Sequence, residues 1–400
     1  MLDVESIRRD FPILDEGVIY LDSAASSLTP EQVVLKEIEY YRSYRANVER
    51  GVHRFSRMAS EEYEEAHRIV AGFIGAPSAE NIAMLRNTTE GLNFVANSMD
   101  WRRGDRIVTT VVEHHSNFIT WLRTAKRYGC HVEVVRSDSD GMFELSDFEK
   151  AITDGTRLVA VTHVSNVLGS ILPVKEIAGI AHEHDALVVV DGAQGVPHLK
   201  TDVGDTGIDF LAFSGHKMLG PTGSGCLYIA SDELFKVEPL CIGGGTIADV
   251  SLDDYRLTEP PLRFEAGTPA IAQVIGLGEA CRYLERVGMD NVEDWDRMLA
   301  KKLVNGLSEI DGVEVYGPKD PRLRVGIVAF NIRDMNPHDV ALTMDAEYDI
   351  AVRSGHHCAL PLMREVLHLP EGNVRASTYL YNTPGEIEKL LGAVEDIAEG

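Results

Sequence analysis

Cysteine is scarce in this 400-residue chain, with five scattered residues (Cys130, Cys226, Cys241, Cys281 and Cys358). The number is odd and no Cys-x-x-Cys occurs, which argues against a disulfide framework and against a zinc-binding spacing. A reducing, cytoplasmic setting is expected. Long apolar runs are also missing, so no membrane-spanning helix is expected. Residues 1–17 have no apolar stretch of the kind a secretory leader needs. Basic residues are outnumbered, 38 Lys and Arg against 63 Asp and Glu, for a formal charge of −25. Such a surface repels nucleic acid and anionic lipid, and neither is expected as a partner. No Gly-x-Gly-x-x-Gly follows the first strand, Gly243-Gly244-Gly245 lacks a strand–helix context, and no phosphate-loop lysine pattern is present. Nicotinamide and nucleotide readings are therefore poor.

The 44% hydrophobic content at this length allows more than one core. Between about 107 and 230, apolar strands alternate with amphipathic helices. Strands are expected at 107–112, 132–135, 158–161, 187–190, 210–213 and 226–229, with helices at 117–128 and 174–184. Strands apolar on both faces argue a mostly parallel sheet covered by helices. The last two strands are too close for a helical crossover, so they are expected to be antiparallel or on separate edges. A helix is expected at 61–74 and another opening at Thr88. After an aperiodic Pro- and Gly-containing stretch at 258–269, the pattern is α+β. The expected division is an arm at 1–19 joining a small domain, a large domain at 20–265, and the small domain at 266–400.

Ligands of open parallel sheets bind beyond the carboxyl ends of the strands. Four such ends carry polar groups in succession: Glu113-His114-His115-Ser116-Asn117, His163-Val164-Ser165-Asn166, Asp191-Gly192-Ala193-Gln194 and Ser214-Gly215-His216-Lys217. A lysine at that edge with an aspartate one strand away suits pyridoxal phosphate. The lysine can form a Schiff base and the aspartate can keep the pyridine nitrogen protonated. Thr88 and Thr89 at a helix start, with Ser214 and His216, can supply phosphate donors.

These residues bring the chain to a resemblance that covers almost its whole length. It resembles class V aminotransferases of fold-type I, pyridoxal-phosphate enzymes, and among them the type II (SUF-type) cysteine desulfurases. The carrying segments are Tyr20-Leu-Asp-Ser-Ala-Ala-Ser26, Thr88-Thr-Glu-Gly91, Glu113-His-His115, Thr162-His-Val-Ser-Asn-Val-Leu-Gly169, Asp191-Gly-Ala-Gln194, Ser214-Gly-His-Lys217, Arg263-Phe-Glu-Ala-Gly-Thr-Pro269, Arg353-Ser-Gly-His-His-Cys-Ala359 and Arg375-Ala-Ser377. The resemblance implies that Lys217 anchors the cofactor, His114 stacks on its ring and moves protons, Asp191 pairs with the pyridine nitrogen and Gln194 meets the phenolic oxygen. It implies phosphate contacts from Thr88, Thr89, Ser214 and His216, and from Thr268 toward the partner subunit of a homodimer. Asn166, Arg353 and Arg375 are implied to bind the substrate, L-cysteine. Cys358 is implied to carry the persulfide, with Arg353 and His356 nearby. The implied reaction yields L-alanine and hands sulfur to a protein acceptor in iron–sulfur cluster assembly. The short segment between Cys358 and Pro361 favours type II over type I. One departure is Glu49, which stands before Arg50-Gly51 where the family often has His.

Taken singly, several of these residues have plainer readings. Lys217 is a surface lysine, Asp191 a helix cap, Arg375 an ion-pair residue and Cys358 a buried structural thiol. Of the His114–His115 pair, His115 is expected to be a solvated loop residue. His182 and His184 suit a helix end. His356-His357 has no third ligand at metal spacing, so no metal is expected. The rival enzymatic reading is a selenocysteine lyase or related class V lyase, and the rival from another class is a non-catalytic scaffold.

Overall fold

Alternate residues along each apolar strand bury on opposite sides of one sheet, as a doubly covered strand requires. Val159 and Val161 join one core cluster while Leu158 and Ala160 join another. Val188 and Val190 divide from Val189, and Leu211 and Phe213 from Phe210 and Ala212, in the same way. The structure is a computed structural model and describes residues 2–399.

The sheet has seven strands: β1 (Ile82–Leu85), β2 (Arg106–Thr110), β3 (His131–Val135), β4 (Thr156–Thr162), β5 (Leu187–Asp191), β6 (Phe210–Ser214) and β7 (Gly225–Ile229). Their order is β1-β7-β6-β5-β4-β2-β3. Only β7 runs against the rest, pairing antiparallel with β1 and β6. The expected antiparallel pairing of the last two strands is therefore present. β1 has no strand counterpart in the sequence reading. The carboxyl ends of β2, β4, β5 and β6 share one edge of the sheet. The helix Thr88–Ser98 lies close against this sheet, because a Cβ on Gly91 would sit 2.9 Å from Ala212 Cβ.

A second, four-stranded antiparallel sheet follows the order Val313–Tyr316, Ile327–Ile332, Asn373–Ser377, Arg353–Gly355. With Met289–Glu309 and Pro384–Glu399 it encloses its own core around Leu299, Leu303, Val328, Phe330, Val374 and Leu390.

Contacts cross the expected division at 265/266. The helix Ile271–Val287 lies on Glu31–Glu39 and Arg54–Phe73 and buries Val274, Leu277 and Leu284 in the cluster of the large sheet. Gly288, at φ +85°, then separates it from Met289–Glu309. No proline marks the break between the two helices in the sequence. The arm is shared rather than assigned to one side. Phe11 and Leu14 join the large core, Ile19 and Leu21 join the small one, and Ile19–Tyr20 pairs in parallel with Ile350–Ala351.

Candidate active site

A cavity of about 450 Å³ opens at the shared strand edge, against the small domain. Its lining includes Thr88, Thr89, His114, Asn166, Asp191, Gln194, Ser214, His216, Lys217, Arg353, Cys358 and Arg375. Every candidate site residue from the sequence is therefore in one place except Thr268 and His356. Thr268 is exposed and lies outside the cavity of its own chain.

Lys217 ends the turn Gly215–Lys217 that follows β6. Burial pushes its pKa down to about 8, Asp191 opposes that shift, and Arg375 adds to it. Asp191 closes β5, is 3% exposed, and accepts from the Ala193 amide at 3.0 Å. Burial raises its pKa, and Lys217 counteracts this.

His114 caps the helix His115–Tyr128. Its Nδ1 accepts from the Ser116 amide at 3.1 Å, so the proton of the neutral ring sits on Nε2. Burial, then Lys217, drives its pKa down to about 4, so the ring is neutral at pH 7.

At the mouth of the helix Thr88–Ser98, the Thr88 amide and hydroxyl both meet Ser214 Oγ, at 2.8 and 2.7 Å. Thr89 Oγ1 meets Ser116 Oγ at 2.7 Å. His216 Nδ1 is 3.4 Å from Ser26 Oγ. This group of hydroxyls and a helix start forms an anion-binding corner.

On the opposite wall, Arg375 lies on a strand of the small sheet and is 2% exposed. Its Nη1 donates to the Asn166 carbonyl at 2.8 Å and its Nη2 to Asp22 Oδ1 at 3.1 Å. Arg353 Nη1 reaches the other Asp22 oxygen at 3.3 Å, with its side chain largely in solvent. Asn166 Nδ2 donates to the His357 carbonyl at 2.7 Å. Gln194 Nε2 donates to the Ala24 carbonyl at 2.7 Å.

Cys358 is exposed at the cavity, between Arg353–Gly355 and Leu360–Glu365. His357 and Cys358 both adopt left-handed backbone, at φ +49° and +57°. Two consecutive non-glycine residues in that region hold strain, which concentrates at functional sites.

His115 corrects the expectation of a solvated loop residue. Its amide donates to the Cys358 carbonyl at 2.6 Å, and its Nε2 accepts from the Leu360 amide at 3.1 Å. It fastens both sides of the cysteine. His356, expected beside the thiol, turns away to the Pro370 carbonyl at 2.7 Å, while His357 lines the cavity. The sequence reading gave no role to Glu113 and Ser116, and named Asp22 only as part of a segment. Asp22 is an acid two residues past a short strand, a pattern shared with any turn.

Comparison with known proteins agrees with this geometry. Residues 19–390 match the aminotransferase class-V family model, and the chain belongs to that family. A probable cysteine desulfurase of Pyrococcus abyssi is 48% identical over 99% of this chain and 98% of its own length. The apo structure of a cysteine desulfurase from Thermococcus onnurineus superposes with a TM-score of 0.96 at 48% identity, covering 100% of this chain and 99% of the other. The cysteine desulfurase CsdA from Escherichia coli, in an S-sulfonic acid form, gives 0.92 at 34% identity, covering 100% and 99%. Within the class-V family the chain belongs to the cysteine desulfurases.

Proposed function

We propose that this protein is a cytoplasmic, pyridoxal-phosphate-dependent cysteine desulfurase of type II. In this reading it converts L-cysteine to L-alanine, holds the sulfur as a persulfide on Cys358, and passes it to a protein acceptor for iron–sulfur cluster assembly. The observation that carries the reading is the meeting of Lys217, Asp191, His114, Arg375 and Cys358 around one cavity.

The cavity suits the cofactor by chemistry as well as by size. The side-chain oxygens of Asn166 and Gln194, both lining residues, are buried and have no partner, which is costly unless a ligand completes them. Asp191 offers an anion to a pyridine nitrogen, and the Thr88–Thr89–Ser214–His216 corner offers donors to a phosphate. When bound, pyridoxal phosphate supplies an electron sink for bond cleavage at the substrate.

The chain's own groups do the rest. Lys217 is the covalent anchor, and its lowered pKa leaves a substantial neutral fraction near pH 8, able to take up a proton. His114 lines the same cavity and would stack on the cofactor ring, with its Nε2–H available for proton traffic. Arg375 receives the substrate carboxylate, with Arg353 and Asn166 beside it. The Cys358 thiolate attacks the substrate sulfur, an S–S bond forms as the carbon–sulfur bond breaks, and alanine leaves after protonation at carbon.

A two-fold homodimer fits the surface. Val52, Phe55, Ile242, Val250, Leu252 and Tyr255 are all exposed, on two segments joined by Arg50 Nη2 and the Ile247 carbonyl at 3.4 Å. Thr268 would then face the partner's phosphate corner. The test is to add L-cysteine to purified protein and measure alanine together with protein-bound sulfur. Equal early yields are expected, and alanine without bound sulfur would reject the persulfide step.

A further inference from the structure

Glu113 is a fully buried carboxyl for which the chemistry above has no use. It follows β2, immediately before His114. Its Oε1 meets Thr110 Oγ1 at 2.6 Å and accepts from the Thr162 amide at 3.0 Å, and its Oε2 accepts from Asn117 Nδ2 at 2.6 Å. Asn117 cannot turn over, because its own oxygen accepts from Trp121 Nε1 at 2.9 Å. One side chain therefore ties the end of β2, the first turn of His115–Tyr128 and the end of β4. Thr162, which it binds, is the register partner of Asp191.

We propose that Glu113 is a positioning residue: an uncharged carboxylic acid beneath the cavity that fixes His114 relative to Asp191 and leaves Asp191 as the anion of the cavity floor.

The partners allow the neutral form, although each hydrogen bond by itself favours the charged one. All three contacts are to uncharged groups, and among the described residues no cation touches Glu113. Thr110 is free to accept as well as donate, so a proton on Oε1 has somewhere to point. The charged group acting on Glu113 is Asp191, and its effect is repulsive; Asp191 itself faces Lys217. Of two carboxyls that repel each other, the one that faces a cation keeps its charge and the one that faces none takes the proton. Burial, opposed by the hydrogen bonds and reinforced by Asp191, takes Glu113 up to about 8.

The positioning role follows from what the contacts join. His114 is the next residue and caps the helix whose first turn Glu113 holds through Asn117. Shortening the side chain by one methylene breaks this reach without removing the acid. Gln keeps the length, but in either orientation its NH2 faces a donor, the Thr162 amide or Asn117 Nδ2, so one contact is lost.

This inference rests on the desulfurase reading for its consequence, and its first test does not. Infrared difference spectra of wild-type and Glu113→Gln apoprotein at pH 7 should show a carboxylic-acid C=O stretch unique to wild type, fading as pH rises past about 8. A carboxylate band in its place would overturn the neutral assignment whether or not the protein is a desulfurase. The second test uses holoenzyme. Glu113→Asp should lower kcat about ten-fold with KM for L-cysteine little changed, and should alter the circular dichroism of the bound cofactor. Glu113→Gln should lie between it and wild type, since one lost hydrogen bond is about 1 kcal/mol, or roughly five-fold. Wild-type kcat and an unchanged cofactor signal in Glu113→Asp would overturn the positioning role.

Discussion

Asp22 accepts a hydrogen bond from Arg375 at 3.1 Å, and the guanidinium it holds is almost fully buried. An arginine kept in place by one carboxylate still has donors for a second, so Asp22 sets the direction in which Arg375 meets a substrate. Asp22→Asn keeps one acceptor oxygen and removes the charge. KM for L-cysteine should rise about ten-fold with kcat within about three-fold, as loss of a charge-assisted bond of about 1.5 kcal/mol predicts. Steady-state alanine formation measures both. A fall in KM would mean that Asp22 competes with the substrate and does not orient its receptor.

Cys358→Ser should separate the two halves of the reaction. A serine hydroxyl stays protonated at neutral pH and forms no persulfide. The cysteine-dependent change in cofactor absorbance should persist while alanine and bound sulfur fall to background. A structural thiol predicts mild instability with turnover intact. A selenocysteine lyase predicts that alanine release from selenocysteine survives. Assaying both substrates in the one variant distinguishes these outcomes.

Acid should destabilise the apoprotein as pH falls below about 6.5. Burial holds His114, His163 and His216 down to about 4, and His357 to about 3. Their unfolded values are about 6.5, so between about 6.5 and 4 the unfolded chain binds four protons that the folded chain does not. That lowers stability as pH falls. Glu37, Glu49, Glu113, Asp191 and Glu293, and with them His67, are raised and work in the opposite sense, but among these only Glu113 is displaced as far as the four histidines are. The net direction is loss, and the urea midpoint should be lower at pH 5 than at pH 7. A higher midpoint at pH 5 would show that the buried carboxyls dominate.

His115→Ala removes the acceptor of the Leu360 amide and leaves the backbone contact to Cys358. About 1 kcal/mol of local stability should go. Amide exchange at Leu360 should quicken while the cofactor spectrum stays unchanged. Unaltered exchange at that amide would show that another group takes over the contact.

The sheet was legible because its strands are apolar on both faces and its crossovers are amphipathic, signals that survive in one dimension. β1 was not, since Ile82–Leu85 is four residues bounded by polar turns and gains its identity from pairing with β7. The short pairing of Ile247–Val250 with Tyr255–Leu257 was missed for a related reason: both strands are mostly exposed, so no burial pattern marks them. The site residues at strand ends were found because strand position implies the edge. Asp22, Glu113 and His115 act through contacts to residues far away in sequence. Asp22 meets Arg375, Glu113 meets Thr162, and His115 meets Cys358. A single sequence has no mark for such a pairing. The packing of Ile271–Val287 on elements before the aperiodic stretch is likewise a contact between distant residues, and it leaves no mark in the sequence.

The twisted backbone at His357 and Cys358 bears on how sulfur leaves. The cysteine carbonyl is bolted to the His115 amide, and the Ala359 amide returns to the His356 carbonyl at 2.9 Å. While those two contacts hold, it is rotation about the Cys358 side-chain bonds that moves the sulfur atom. In the desulfurase reading, an acceptor thiol would then come to Cys358 where it stands exposed at the cavity, and the hand-over would depend on the visitor's reach rather than on a swinging arm.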